Sequence, residues 1–238
     1  MRSSTATHAP FALVTGGSRG LGLALTSALH ADGWQVLTDA RDGNALNAAT
    51  ATLSNVTAVT GDLADAEHRE RLARACGDIP IDALVLNAGI LGPSPMPAVA
   101  DYPLHLLARV YDVNVVAQVG LLQLLLPRLA SGATIIGITS DAANQPYETW
   151  SGYGSSKAAF EQILHILGAE HPELRVYRAD PGDMRTRMHA AAFPGEDISD
   201  RPEPDTVVPG VRRLIDGALP SGRYNLTTLA VDTQGAVS

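Results

Sequence analysis

One stretch constrains this chain more than any other. Thr15-Gly16-Gly17-Ser18-Arg19-Gly20-Leu21-Gly22 follows a short apolar run, Phe11 to Thr15, and opens into a segment with apolar residues at helical spacing, Leu21, Leu25, Ala28 and Leu29. Glycines in such a turn meet three needs: a tight bend, close approach of backbone to a bound group, and close packing of helix on strand. A helix that starts there aims its free N–H groups at the turn, so the expected ligand is an anion of the pyrophosphate kind.

The rest of the sequence repeats the same alternation. Strand-like runs at Phe11 to Thr15, Gln35 to Thr38, Val56 to Thr60, Ala83 to Leu86, Thr134 to Thr139 and Arg175 to Ala179 are separated by helix-like stretches. Those stretches are Gly20 to Ala31, Ala45 to Thr52, Ala66 to Cys76, Leu104 to Leu126 and Tyr153 to Glu170. The short strands lack a polar face, as expected of a parallel sheet covered on both sides. The predicted fold is α/β: a doubly wound, Rossmann-like three-layer sandwich with a mostly parallel sheet. Residues 1–9 read as a loose arm and 10–238 as one domain. Residues 188–209, with Gly195 and several prolines, read as a substrate loop that closes as a lid.

Composition removes several classes of function. The 17 Lys and Arg against 25 Asp and Glu give a net charge of −8, which disfavours nucleic acid as a partner. Cys76 is the single cysteine and reads as a small buried residue. The N-terminus lacks a signal-peptide core, and the apolar region Val115 to Leu129 is interrupted and short of a bilayer span, so a cytoplasmic protein without membrane segments is expected. The histidines have no metal-ligand spacing and read as surface or packing residues, so no metal is expected.

Several ordered motifs resemble the short-chain dehydrogenase/reductase family in its compact single-domain branch. The glycine turn matches its T-G-x-x-x-G-x-G pattern with Gly16, Ser18, Arg19, Gly20, Leu21 and Gly22. Asp62 and Leu63 resemble the residues at the adenine, and Asn87-Ala88-Gly89 resembles the motif that lines the cofactor. Asn114, Ser140, Tyr153 and Lys157 resemble the catalytic tetrad, and Pro181, Gly182 and Thr186 the segment at the nicotinamide carboxamide. The resemblance implies an oxidoreductase that moves a hydride between a nicotinamide cofactor and a carbonyl or secondary alcohol. In it Asn114 holds a water that relays protons to the lysine, and Lys157 also touches the ribose.

The residue types suit that chemistry. Carbonyl reduction needs a hydride donor at carbon and a proton donor at oxygen. Tyr153 and Lys157 stand four residues apart, on one face of a helix, where the ammonium can lower the phenol's pKa. Ser140 ends a strand-like run, where ligands collect in open α/β sheets, and can steady the substrate oxygen. Tyr147 and Trp150 are candidate pocket walls, and Met188 and His189 could face substrate.

The stretch Thr38-Asp39-Ala40-Arg41-Asp42 bears on the cofactor. A carboxylate there accepts from ribose hydroxyls, whereas an arginine pairs with a 2′-phosphate. Counted from Gly33, the family's acid position falls on Ala40 and Arg41 follows, which favours NADP; a one-residue slip would place Asp39 there and favour NAD. The C-terminal Ser221 to Leu226 lacks the glycine pair that many members carry near their final strand, which weakens a tetramer and leaves a homodimer through 104–126 and 153–169 as the expectation. The alternative function is a non-catalytic NAD(P)-sensing regulator or scaffold, which would have no need of Ser140, Tyr153 and Lys157 together.

Overall fold

A computed structural model describes residues 9–217 and 219–234. The expected N-terminal arm therefore lies, except for Ala9, outside the described residues. Seven strands form one sheet: β1 (Phe11–Val14), β2 (Gln35–Ala40), β3 (Val56–Thr60), β4 (Ile81–Leu86), β5 (Leu129–Ile138), β6 (Arg175–Asp180) and β7 (Gly222–Asn225). They run in the order β3-β2-β1-β4-β5-β6-β7, and every neighbouring pair is parallel. The expected Rossmann-like sandwich is what forms. The order reverses between β1 and β4, and that reversal opens a crevice at the carboxyl ends of the strands.

Alternation along each strand sends side chains to two cores. Leu13, Leu37, Leu84 and Ile135 pack against helices α3 (Ala66–Ala75), α5 (Ala117–Leu125) and α6 (Ser151–Glu170). Val14, Val36, Val85 and Ile136 pack on the other face against α1 (Gly20–Ala31) and α8 (Val208–Asp216), with Leu226 and Leu229 of α9 (Leu226–Gln234). Both faces are apolar because both are covered. Helix α6 comes close to the sheet where β5 carries Gly137: a Cβ there would overlap Leu164 and Phe160.

Five expectations need correction. The stretch Gly222–Asn225 is a seventh strand, paired with β6 from Tyr177↔Gly222 to Asp180↔Asn225. It escaped notice because a four-residue edge strand reading Gly-Arg-Tyr-Asn has no apolar run. The single helix expected over 104–126 is α4 (Leu104–Tyr111), a π-helical turn (Asp112–Val116) and α5. Together with the 3₁₀ turn Leu126–Arg128 these make a continuous rod of 25 residues, Leu104–Arg128, with mean hydropathy 1.4 in its most apolar window. It is therefore long and apolar enough to cross a bilayer, contrary to the shorter span read from sequence, yet half of that window is buried against the protein.

The stretch 188–209 is more ordered than its composition suggests. It contains most of the short helix α7 (Arg187–Ala192), capped by the Thr186 hydroxyl accepting from the His189 N–H, then a 3₁₀ turn (Pro204–Val207) and the start of α8. Pro204 and Val207 are buried, so its far end is anchored in the fold. Finally, Tyr147 is exposed and donates to Asp141 at 2.7 Å, so it does not wall the cleft that Trp150 lines.

The contact at Gly137 carries a stability prediction. Leu164→Ala removes a buried side chain from the face that seats α6, and it should cost about 2–5 kcal/mol. Urea unfolding should show a lower midpoint at an unchanged slope.

Candidate active site

The glycine turn is fixed to the sheet before it reaches any ligand. The Thr15 hydroxyl accepts from the backbone N–H groups of Asn87 and Ala88, both at 2.9 Å, and the Asn87 side-chain amide donates to the Thr15 carbonyl at 2.8 Å. Gly16 has φ +78°, a conformation that favours glycine. A Cβ at Gly22 would overlap the Gly16 carbonyl, so helix and turn touch backbone to backbone. No side chain caps the start of α1, and its first N–H groups are free to face an anion.

Beyond the turn lie the ends of β2 and β3. The Asp39 carboxylate accepts from the Gly16 N–H at 2.9 Å and meets His68 Nε2 at 2.9 Å. Arg41 is exposed, and Arg19 pairs with Asp42 at 3.2 Å. Asp62 pairs with Arg109 at 2.6 Å. Burial works against the Asp62 charge, but the Ala64 N–H and the Arg109 guanidinium outweigh it and hold the carboxyl below its usual range.

At the other end of the crevice, Ser140 follows β5 and α6 brings up Tyr153 and Lys157. Both α6 side chains are buried, and the Lys157 ammonium donates to the Ile138 carbonyl at 2.9 Å and lies 5.7 Å from the centre of the Tyr153 ring. Burial pushes the Lys157 pKa down to about 8, with the Glu161 carboxylate pulling the other way. The Tyr153 phenol is pushed up, first by burial and then by Asp180 and Asp141, while a hydrogen bond with Ser140 opposes the shift. The expectation that Lys157 lowers this phenol's pKa thus does not match the balance of protein groups around it. The ammonium is turned toward the Ile138 carbonyl, and desolvation dominates the phenol.

These pieces line one cleft of about 900 Å³, running from Arg41 past the glycine turn to Trp150 and Met188. A family model described as short chain dehydrogenase matches residues 10–197. The chain belongs to the short chain dehydrogenase family. Among its relatives, the 1-deoxy-11-beta-hydroxypentalenate dehydrogenase of Streptomyces arenae is 34% identical, over 73% of this chain and 61% of that protein. The benzil reductase ((S)-benzoin forming) of Bacillus subtilis is 30% identical, over 75% of this chain and 76% of that protein. A short chain dehydrogenase of Escherichia coli CFT073, solved in complex with NADPH, is 27% identical with a TM-score of 0.85, over 91% of this chain and 96% of that one. The match spans 52% and 61% of the length of the first two curated relatives.

Within this dehydrogenase fold, the cleft gathers every site residue expected from the sequence except Asn114 and the candidate wall residue Tyr147. Asn114 sits behind the wall in the π-helical turn: its carbonyl oxygen accepts from the Ile90 N–H at 2.8 Å, and its amide donates to the Ile90 carbonyl at 2.9 Å and to Ser156 Oγ at 3.0 Å. With those contacts its side chain joins the rod to the loop at Ile90, and both hydrogens of its amide are used. Sequence reasoning missed Ile90, Leu91, Val113 and Asp180, which also line the cleft. The first three carry no chemical signature, whereas Asp180, just before Pro181-Gly182, could have been suspected from its place at a strand end.

The buried ammonium predicts a pH dependence of the unliganded protein. Lys157 has a folded pKa of about 8 against an ordinary value of 10.5. Between those values the unfolded chain binds the extra proton, so unfolding free energy should rise with pH through that window, and the penalty is fully present below it. Lys157→Met should raise stability near neutral pH and flatten this rise, as read from urea midpoints at about pH 7 and about pH 10.

Proposed function

We propose that the protein is an NADP(H)-dependent oxidoreductase that interconverts a carbonyl compound and a secondary alcohol. The observation that carries this reading is the convergence of Ser140, Tyr153 and Lys157 on the cleft that also holds the glycine turn. The residues present fit a dinucleotide. The Gly16–Gly22 contact leaves no room for a Cβ, the α1 N-terminus is uncapped, and at Gly89 a Cβ would come within 3.5 Å of the Lys157 ammonium. In this reading Gly16, Ser18, Arg19, Gly20, Leu21 and Gly22 cradle the pyrophosphate, and Asp62, Leu63, Asn87, Ala88 and Gly89 line the adenosine side. Pro181, Gly182 and Thr186 close over the nicotinamide.

When bound, a nicotinamide cofactor would supply a hydride to the substrate's carbonyl carbon, or take one from the carbinol carbon in the reverse direction. Tyr153 donates the proton from its hydroxyl to the carbonyl oxygen, and Ser140 donates a hydrogen bond to the same oxygen. A phenol held above its ordinary pKa keeps its proton at neutral pH, which suits the reductive direction. Lys157, its ammonium held at the Ile138 carbonyl, positions the ribose. Leu91, Trp150, Met188 and Ala192 make the substrate end apolar, so a carbonyl compound with a hydrocarbon body fits. Residues 188–209 shield that end, and two copies pair through the helices of 104–126 and 153–169, which expose Val116, Leu124 and Ile166.

The relatives solved with NADP or NADPH support the cofactor class. The preference for a 2′-phosphate rests on Arg41, exposed at the ribose end, with Arg19 lining the same cleft.

Two experiments test this reading. Tyr153→Phe should lower turnover of NADPH with a panel of diketones, keto esters and aldehydes by about 10²–10⁴-fold, while NADPH affinity stays within a few-fold. Full activity in that variant would remove Tyr153 as the proton donor. Arg41→Ala should reduce the NADPH-over-NADH preference by about ten- to a hundredfold, measured as the ratio of dissociation constants, and an equal loss for both cofactors would refute a phosphate contact.

A further inference from the structure

The ribose end of the cleft holds a carboxylate where a phosphate is to bind. Asp39 lines the cleft one residue before Ala40 and two before Arg41, yet it is only 2% exposed. One of its oxygens accepts from the Gly16 N–H and the other meets His68 Nε2, each at 2.9 Å. His68 is fully buried on α3, and its ring fills the space a Cβ at Gly61 would need. Its Nδ1 lies 3.3 Å from Arg71 Nη2. A guanidinium can only donate, so Nδ1 accepts and Nε2 carries the proton that goes to Asp39. The carboxylate is thus held by two donors from two different elements, and neither is a ligand.

We propose that His68 is a specificity-determining positioning residue: it draws the Asp39 carboxylate into the protein and so keeps the ribose end of the cleft receptive to a 2′-phosphate. Without the ring, one carboxylate oxygen loses its only side-chain donor in a buried position. The side chain then turns to the cleft, where water or a ribose hydroxyl can replace that donor. In that position it accepts from the 2′-hydroxyl of NADH and repels the phosphate of NADPH. The proposal rests on the NADP(H) reading above.

The test is direct titration of NADPH and NADH by cofactor fluorescence, without substrate, on the parent, His68→Met, His68→Gln, Asp39→Asn and the double variant His68→Met with Asp39→Asn. His68→Met should lose about tenfold or more of the NADPH preference. His68→Gln, whose amide can reach Asp39 as Nε2 does, should stay within about threefold of the parent, and the double variant within about threefold of Asp39→Asn.

An unchanged preference in His68→Met, or a double variant that falls as far as His68→Met, overturns the proposal. If His68→Met does not fold, Asp39→Asn decides: a preference within about threefold of the parent supports a carboxylate already hidden, and a rise of about tenfold shows that it already faces the phosphate and overturns the proposal. A parent that prefers NADH overturns the cofactor reading and this proposal together. A parent that prefers NADPH, with His68→Met unchanged, overturns this proposal alone.

Discussion

The cleft depends first on how β1 and β4 are tied at their carboxyl ends. These strands pair through Val14↔Val85, and beyond that point the chain leaves them for opposite sides of the sheet. A parallel ladder ending there would fray and leave buried backbone groups unpaired, which is costly. Thr15 prevents this: its N–H continues the ladder to the Val85 carbonyl at 3.0 Å, and its fully buried hydroxyl takes two N–H groups from the start of the Asn87-Ala88-Gly89 loop. Asn87 answers by donating to the Thr15 carbonyl. The glycine turn and the loop facing it are therefore one hydrogen-bonded unit, and the crevice width is set by protein contacts before any ligand arrives.

The end of the cleft at Ser140 is fastened by charged groups. Arg223 of β7 donates to Glu161 at 3.0 Å, to Asp180 at 3.1 Å and to the Ser140 carbonyl at 3.1 Å. Both carboxylates are nearly buried and have further donors, the Thr139 hydroxyl at 2.6 Å for Glu161 and the Gly182 N–H at 3.0 Å for Asp180. Removing one member of such a group costs roughly 3–5 kcal/mol, because the charges left behind stay buried without their partner. This explains how a strand as weak in sequence as Gly-Arg-Tyr-Asn finds its place: one guanidinium fastens it to α6, to β6 and to Ser140, two residues beyond β5. It also places Glu161, two helical turns beyond Tyr153 and one beyond Lys157, where its charge favours the ammonium.

What the sequence made legible follows from which forces leave local marks. Apolar periodicity and the glycine spacing placed six strands and the main helices, because a parallel sheet under two helical layers demands continuous apolar runs. Tyr153 and Lys157 were legible because helical spacing alone puts them on one face. The π-helical turn at Asn114 left only a faint mark, a polar residue inside an apolar helix, since what sustains it is the Ile90 backbone far away in sequence. Strand β7 and the Asp39–His68 pair left none. Arg223 and His68 look like ordinary polar residues until the fold brings each to its carboxylate.

The same long-range pairing governs the charge that the cleft presents in a chain with a net charge of −8. Three carboxylates line the end of the cleft at β2 and β3, and each is consumed by the protein. Asp39 is held by Gly16 and His68, Asp42 caps α2 (Gly43–Thr50) through the Ala45 N–H while pairing with Arg19, and Asp62 is bound by Arg109 and the Ala64 N–H. Among the described residues, Arg41 has no such carboxylate held against it; Asp62 acts on it only across space. The field a ligand meets at that corner is set by which charges are already satisfied, since a charge paired at hydrogen-bond distance projects far less than a free one. Net charge therefore governs the chain's behaviour toward extended polyanions, while the hydrogen bonds of a few buried carboxylates govern its behaviour toward a single phosphate.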